Sequence, residues 1–109
     1  MVFSRVVATA LLATSIVAGG MVHASQSAER AKQRGMDNYM RKRYAAAVVE
    51  FDKYLAKNPD DSSVILLRGL SKSLLEPEDV AGACADFLLV RSGLSGMNVE
   101  GYCAGQPGW

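Results

Sequence analysis

The chain has 109 residues, half of them hydrophobic, with 12 basic and 11 acidic side chains and a formal net charge of +1. This balance, in which Arg41-Lys42-Arg43 is the only dense basic run, disfavours nucleic-acid binding. The single histidine, His23, lies in a segment that we expect to be removed, so we expect no Ser-His-Asp or Cys-His catalysis and no histidine metal site. We also expect no cofactor.

Residues 1–24 have the pattern of a secretory signal peptide. Arg5 precedes an apolar run from Val6 to Ala18, and Val22-His23-Ala24 offers a cleavage site. The uncharged stretch from Val6 to Val22 has 17 residues, which is short for a spanning helix of about 20 residues, so an uncleaved anchor is the alternative. Cleavage predicts a periplasmic or secreted protein of 85 residues that begins at Ser25 and lies outside the membrane.

The charges of the predicted mature chain sum to zero but are unevenly distributed. Residues 25–57 contain eight basic and four acidic side chains, and residues 58–109 contain three basic and seven acidic ones. Such a dipolar surface can steer a charged partner or favour self-association. The alternative is that these are simply solvated helix faces of different composition.

The hydrophobic spacing predicts helices and no strands. Pro59 ends the second helix, and Asp60 or Asp61 can cap the third. The "AGQPGW" segment, residues 104–109, is predicted to be a flexible tail. The predicted helices run over 28–40, from Tyr44 to about 57, over 63–75, from about Asp79 to the Ser92-Gly93 signal, and over 96–103.

Two glycines interrupt these helices, each after an arginine and before a hydrophobic residue. Gly35 and Gly69 are 34 residues apart. A glycine inside a helix costs about 1 kcal/mol relative to alanine. The two glycines are part of a pattern that resembles the tetratricopeptide repeat, and that resemblance implies a close helix crossing at each, where Phe51 or Phe87 packs on the backbone. Burial of a phenylalanine contributes about 1.5 to 3 kcal/mol and offsets the loss.

The spacing of these residues resembles the tetratricopeptide repeat. Gly69 and "ACADF" at 83–87 match a second copy, 62–94, whose connection is two residues longer. Both copies lack the family's aromatic three residues after the glycine, where Asn38 and Lys72 stand. The first copy, 28–61, matches at Gly35, Tyr44, Ala47, Phe51, Leu55 and Pro59.

The resemblance implies an all-α fold. It would be a right-handed helical-hairpin solenoid of about two repeats with a short C-terminal capping helix at 95–103, in a domain spanning 25–105. Cys84 and Cys103 each lie about nine residues from the Gly93-Leu94 turn, so an antiparallel hairpin would place them level. They should pair in an oxidising compartment. "AC.D" followed by "YC" also resembles exported tetratricopeptide and Sel1-like proteins. A redox-active dithiol is the alternative, but it lacks C-x-x-C spacing.

The family resemblance implies a function in protein binding on the surface formed by the first helix of each repeat. Lys32 matches one residue of the family's carboxylate clamp, but Met36 replaces its asparagine, so an apolar or amphipathic peptide is the expected ligand. Burial against a second copy, as a homodimer, or against the N-terminal segment is the alternative. The matching positions are Lys32, Met36, Tyr39, Met40, Leu66, Leu70 and Ser73.

The acidic residues show no catalytic pattern. Glu50, Asp52 and Asp86 have spacings typical of solvated residues or of pairs with Lys53 and Lys57. We therefore expect a non-enzymatic module that binds a peptide or protein partner in the cell envelope. A structural or self-associating subunit of an envelope or secretion assembly is the alternative.

Overall fold

The computed structural model describes residues 26–109, which are helical with no strand in that range. This confirms the all-α prediction for the described part, while the predicted signal peptide lies outside it. No helix within 26–109 combines the length and hydropathy needed to cross a bilayer. The helices are α1 (26–40), α2 (Tyr44–Lys57), α3 (Ser62–Ser73), α4 (Val80–Leu89) and α5 (Val99–Tyr102), with a 3₁₀ turn at Arg91–Gly93 before α5.

Two aspartates set where α3 and α4 begin. The Asp61 carboxylate accepts a hydrogen bond from the Val64 amide at 3.4 Å, and Asp79 accepts one from the Gly82 amide at 2.9 Å. Each satisfies an amide that the first turn of a helix leaves unpaired. Of the two aspartates considered as the cap of α3, Asp61 is therefore the one used.

Both glycine crossings are present, as the sequence predicts. A Cβ at Gly35 would stand 2.5 Å from Phe51 Cε1, and a Cβ at Gly69 would stand 2.8 Å from Phe87 Cε1. The two rings are buried, with exposed fractions of 0% and 3%. In each hairpin the first helix therefore lies directly on an aromatic ring of the second, α1 on α2 and α3 on α4.

The core follows from this packing. Helix α3 contacts both α2 and α4, so the two hairpins share one hydrophobic cluster. Buried Val64 and Ile65 are the contribution of α3. The other buried hydrophobic members are Ala31, Ala47, Phe51, Tyr54, Leu55, Ala83, Cys84, Phe87, Val90, Leu94, Val99 and Cys103.

The end of the chain differs from the flexible tail expected for residues 104–109. Trp109 packs against the core, and its indole Nε1 donates a hydrogen bond to the Cys84 carbonyl at 3.1 Å. The Arg91 guanidinium lies 4.5 Å from the centre of the indole ring. Gly105 and Gly108, both with φ of 85°, allow the chain to turn back. An indole that buries its ring and satisfies its N–H in this way can order a glycine-rich end.

Candidate functional site

An open groove of about 240 Å³ separates the second half of α3 from the segment that leads into α5. Its lining is mostly apolar, and we call it the α3–α5 groove. Groove-lining residues come from three helices and from the loop before α5. They are Leu70, Ser73, Phe87, Met97, Asn98, Val99 and Tyr102.

The groove keeps its shape through contacts beneath it. The Phe87 and Tyr102 rings meet edge to face with centroids 6.3 Å apart, and Val99 is buried. Cys84 of α4 and Cys103, directly after α5, lie at disulfide distance, with an S–S separation of 2.05 Å and Cα atoms 5.7 Å apart. Both cysteines are buried, so this pair attaches α5 to α4 beneath the groove.

The Tyr102 hydroxyl marks the polar edge of the groove. It donates to Glu78 Oε2 at 3.3 Å. Burial, together with the negative charge of Glu78, raises the pKa of the Tyr102 phenol. The phenol therefore stays protonated near neutral pH, and because its single proton is directed to Glu78, its oxygen can only accept a hydrogen bond from a ligand.

Two of the seven predicted binding residues, Leu70 and Ser73, line the α3–α5 groove. Leu70 is half-buried and packs against the core on one side. The Ser73 hydroxyl donates to the Leu70 carbonyl at 2.7 Å, so its proton is used within its own helix. Met36 and Met40 lie on α1 and are 44% and 78% exposed.

The remaining three predicted residues make contacts inside the chain. Lys32 Nζ lies 3.6 Å from Asp61 Oδ2 and 5.4 Å from the centre of the Tyr54 ring. Tyr39 packs edge to face on Tyr44, at 5.7 Å between ring centroids, and Leu66 packs against the core. The lysine that matched the family's carboxylate clamp therefore already holds a carboxylate of its own chain.

Asp61 connects the first three helices. Besides capping α3 and pairing with Lys32 of α1, its carboxylate accepts hydrogen bonds of 2.6 Å from both the Ser63 hydroxyl and the Tyr54 phenol. The bonds from Ser63 and Tyr54 lower the pKa of Asp61 to about 2, and the bond to Asp61, together with burial, raises the pKa of Tyr54 to about 12. Neither group changes its protonation near neutral pH, so this cluster stabilises the fold.

Asp86 is the polar residue whose role the sequence analysis missed. It was expected to be solvated or to pair with Lys53 or Lys57, but it is 2% exposed and lies between α3 and α4. It accepts hydrogen bonds from Arg68 at 2.7 and 3.0 Å, and Lys72 Nζ lies 3.1 Å away. The hydrogen bond to Asp86 raises the pKa of Arg68. The spacing of Arg68 and Lys72, one helical turn apart, was the signal that could have indicated a shared carboxylate.

The other two acidic residues also form ion pairs. Asp52 Oδ1 lies 2.9 Å from Arg68 Nη1. Glu50 pairs with Lys53 at 3.2 Å, as its spacing predicted, and with Arg34 of α1 at 3.1 Å. Burial raises the pKa of Glu50, but the hydrogen bonds from Arg34 and Lys53 outweigh it and lower the pKa overall. These carboxylates therefore hold helices together, and between residues 26 and 109 no three His, Cys, Asp or Glu side chains form a group that could hold a metal ion.

Comparison with models of known protein families, with curated proteins and with solved structures gives no match for this chain. The basis for a functional assignment is therefore the geometry of the α3–α5 groove and of the helices that form it.

Proposed function

We propose that this chain is an exported, non-enzymatic, tetratricopeptide-like module that binds a peptide or partner protein in the cell envelope. The observation that carries the proposal is the α3–α5 groove, an open and mainly apolar depression on a small helical protein. An apolar groove of this kind can accept the apolar face of an amphipathic peptide.

The repeat architecture is part of the same proposal. The two hairpins use the same device, a glycine of the first helix against a phenylalanine of the second, at Gly35 with Phe51 and at Gly69 with Phe87. The matching order of the helices supports a solenoid of about two right-handed repeats, with α5 as the capping helix. Two repeats would leave one end of the stack uncovered, and the link between Cys84 and Cys103, which attaches α5 to α4, supports a capping role for α5.

The chemistry of the groove favours an apolar side chain from an amphipathic peptide. Leu70, Met97 and Val99 offer apolar contacts, and the Tyr102 hydroxyl oxygen can accept a hydrogen bond at the edge. A volume of about 240 Å³ is below the range of about 300 to 1,000 Å³ typical of small-molecule sites. Methionine at 97, 41% exposed, can adapt its flexible side chain to an irregular partner.

The cellular location in the proposal is the periplasm or the extracellular medium. A cysteine pair at disulfide distance is compatible with an oxidising compartment. The predicted signal peptide, residues 1–24, supports export independently.

The test is Leu70→Glu, compared with the matched control Leu89→Glu. Leu89 is 69% exposed and lies outside the groove. Each protein is crosslinked in its own envelope fraction and purified, and the captured proteins are compared. We expect Leu70→Glu to keep its helical circular dichroism and most of its melting temperature, because Leu70 is only half-buried, but to lose the partner that wild type and Leu89→Glu retain.

One outcome would move the test to another residue, and one would contradict the proposal. If Leu70→Glu unfolds, Leu70 belongs to the core, and Met97→Glu, at a more exposed position on the same groove, then becomes the test. If Leu70→Glu or Met97→Glu is folded and captures the same partner as wild type with the same yield, the groove is not the binding site.

A further inference from the structure

A second groove begins where α3 ends, and it shares no lining residue with the α3–α5 groove. It is open, has a volume of about 640 Å³, and runs between the α1–α2 turn and the C-terminal end of α3. Its centre is apolar, formed by Tyr44, Leu74 and Leu75, and Leu74 is 46% exposed. We call this surface the tip groove.

Charges of opposite sign flank the tip groove. Lys42 and Arg43 line it from the α1–α2 turn, and Glu76 lines it from the segment after α3. Lys42, Arg43 and Glu76 are all exposed, and none of them forms an ion pair with another residue in the range 26–109. The two signs therefore face the same groove without neutralising each other.

The basic side chains of residues 58–109 do not neutralise Glu76. Its three basic side chains are engaged internally: Arg68 and Lys72 with Asp86, and Arg91 with Glu100. Glu76 therefore lies in a half whose cations are already paired. At the tip groove, the segregated charge seen in the sequence therefore forms a basic side and an acidic side around an apolar centre.

We propose that the tip groove is the interface of a two-fold symmetric homodimer. A rotation of 180° about an axis through Leu74 places the basic side of one copy against the acidic side of its partner, and it does so twice. In such an isologous contact the same patch serves both copies, so each favourable pair occurs twice and the assembly closes at two chains. The surface and the partner are both different from those of the peptide site proposed above.

A second copy fits this groove better than another partner does. An acidic peptide would pair with Lys42 and Arg43 but would be repelled by Glu76 across the groove. A basic peptide would pair with Glu76 but would be repelled by Lys42 and Arg43. Only a partner that carries both signs in the opposite order, around an apolar centre, matches both sides. A second copy of the same chain has this arrangement by symmetry, and such complementarity fixes the register of an interface.

Charge reversal tests the proposal. Protein expressed from the full-length coding sequence is compared with Lys42→Glu/Arg43→Glu and with Glu76→Lys by sedimentation equilibrium between about 1 and about 100 µM. We expect a dimer for wild type, weakened by added salt because its charges are at the rim. Each variant should raise the dissociation constant at least about tenfold, because it creates like-charge contacts twice in the dimer.

An equimolar mixture of the two variants is the decisive experiment. One variant then has an acidic face and the other a basic face, so a heterodimer with the mass of two chains should return. Circular dichroism should be unchanged, and the melting temperatures should agree at concentrations where wild type and variants are all monomeric, because the substituted side chains are exposed and form no ion pair. Leu74→Ser should also weaken the dimer, whereas Leu89→Ser should not.

Several results would overturn the proposal. They are a monomeric wild type over the whole concentration range, a dimer that both charge variants leave unchanged, and a mixture that forms longer chains, as a head-to-tail contact would. The peptide site is tested separately, since Leu70→Glu should leave this dimer intact. A loss of partner capture with an intact dimer would therefore concern the α3–α5 groove, and the reverse result would concern the tip groove.

Discussion

Gly35→Ala should destabilise this protein, although alanine is the better helix former. In a helix interior the substitution by itself would contribute about 1 kcal/mol of stability. The new Cβ, however, would stand 2.5 Å from Cε1 and 2.6 Å from Cδ1 of Phe51. Carbon atoms in favourable contact lie about 3.5 to 4.0 Å apart, so the ring must shift by about 1 Å or α1 must move away from α2.

The size of the destabilisation expected for Gly35→Ala follows from the burial of Phe51. Its exposed fraction is 0%, so the ring has no solvent to move into, and its displacement disturbs the core. Overpacking of this kind costs about 1 to 3 kcal/mol, and the upper part of that range applies to a rigid ring. After the gain in helix propensity is subtracted, we expect the free energy of unfolding to fall by about 1 to 2 kcal/mol. In a domain of this size, a loss of about 1 kcal/mol lowers the melting temperature by about 4 to 8 °C.

The assay is thermal and urea unfolding of Gly35→Ala with Gly93→Ala as the control. A Cβ at Gly93 would meet no atom within 4 Å, so the melting temperature of Gly93→Ala should equal that of wild type or be slightly higher. Gly69→Ala should show a smaller loss, since its closest contact is 2.8 Å. In a Phe51→Leu background Gly35→Ala should cost less, because the two sites are coupled. A raised melting temperature for Gly35→Ala would refute the close crossing.

The remaining predictions concern the cysteines and Asp61. Thiol counting on unreduced protein should find no free thiol, and reduction should lower the free energy of unfolding by about 3 kcal/mol for a separation of 19 residues; two reactive thiols in native protein would contradict the pairing. Because the pKa of Asp61 falls from 3.8 to about 2 on folding, its carboxylate stabilises the fold fully above about pH 4, and this contribution, up to about 2 kcal/mol, is lost as the pH falls toward 2. Asp61→Asn should flatten that part of the acid-unfolding curve, whereas the exposed Asp60→Asn should not, and an unchanged curve for Asp61→Asn would argue against the cluster.

Local signals in the sequence were sufficient for the helices and their crossings. Pro59 and the capping aspartates mark helix ends through backbone chemistry that acts within a few residues. Gly35 and Gly69 were informative because a glycine inside a helix is unfavourable unless a close contact requires it. The level placement of Cys84 and Cys103 followed from counting residues on either side of one turn, and the structure brings them to disulfide distance.

The positions of polar side chains were harder to predict, because they depend on which helix faces which. Asp86 has the spacing of a solvated residue on α4, and its burial becomes evident only when α3 places Arg68 and Lys72 opposite it. The chain end shows the same limitation. Nothing in "AGQPGW" indicates order, and Trp109 is held by a carbonyl 25 residues earlier in the chain.

The binding residues show why repeat position alone does not define a site. Position predicts the side of a helix on which a residue lies, but it does not predict whether the side chain already has a partner. Lys32 lies on the predicted surface, yet Asp61 and Tyr54 engage it within the chain. The α3–α5 groove, in contrast, needs Met97 and Tyr102 from the segment after α4, and the Cys84–Cys103 pair connects that segment to α4. In the proposed repeat architecture, this segment would therefore be a wall of the binding site as well as a cover for the end of the stack.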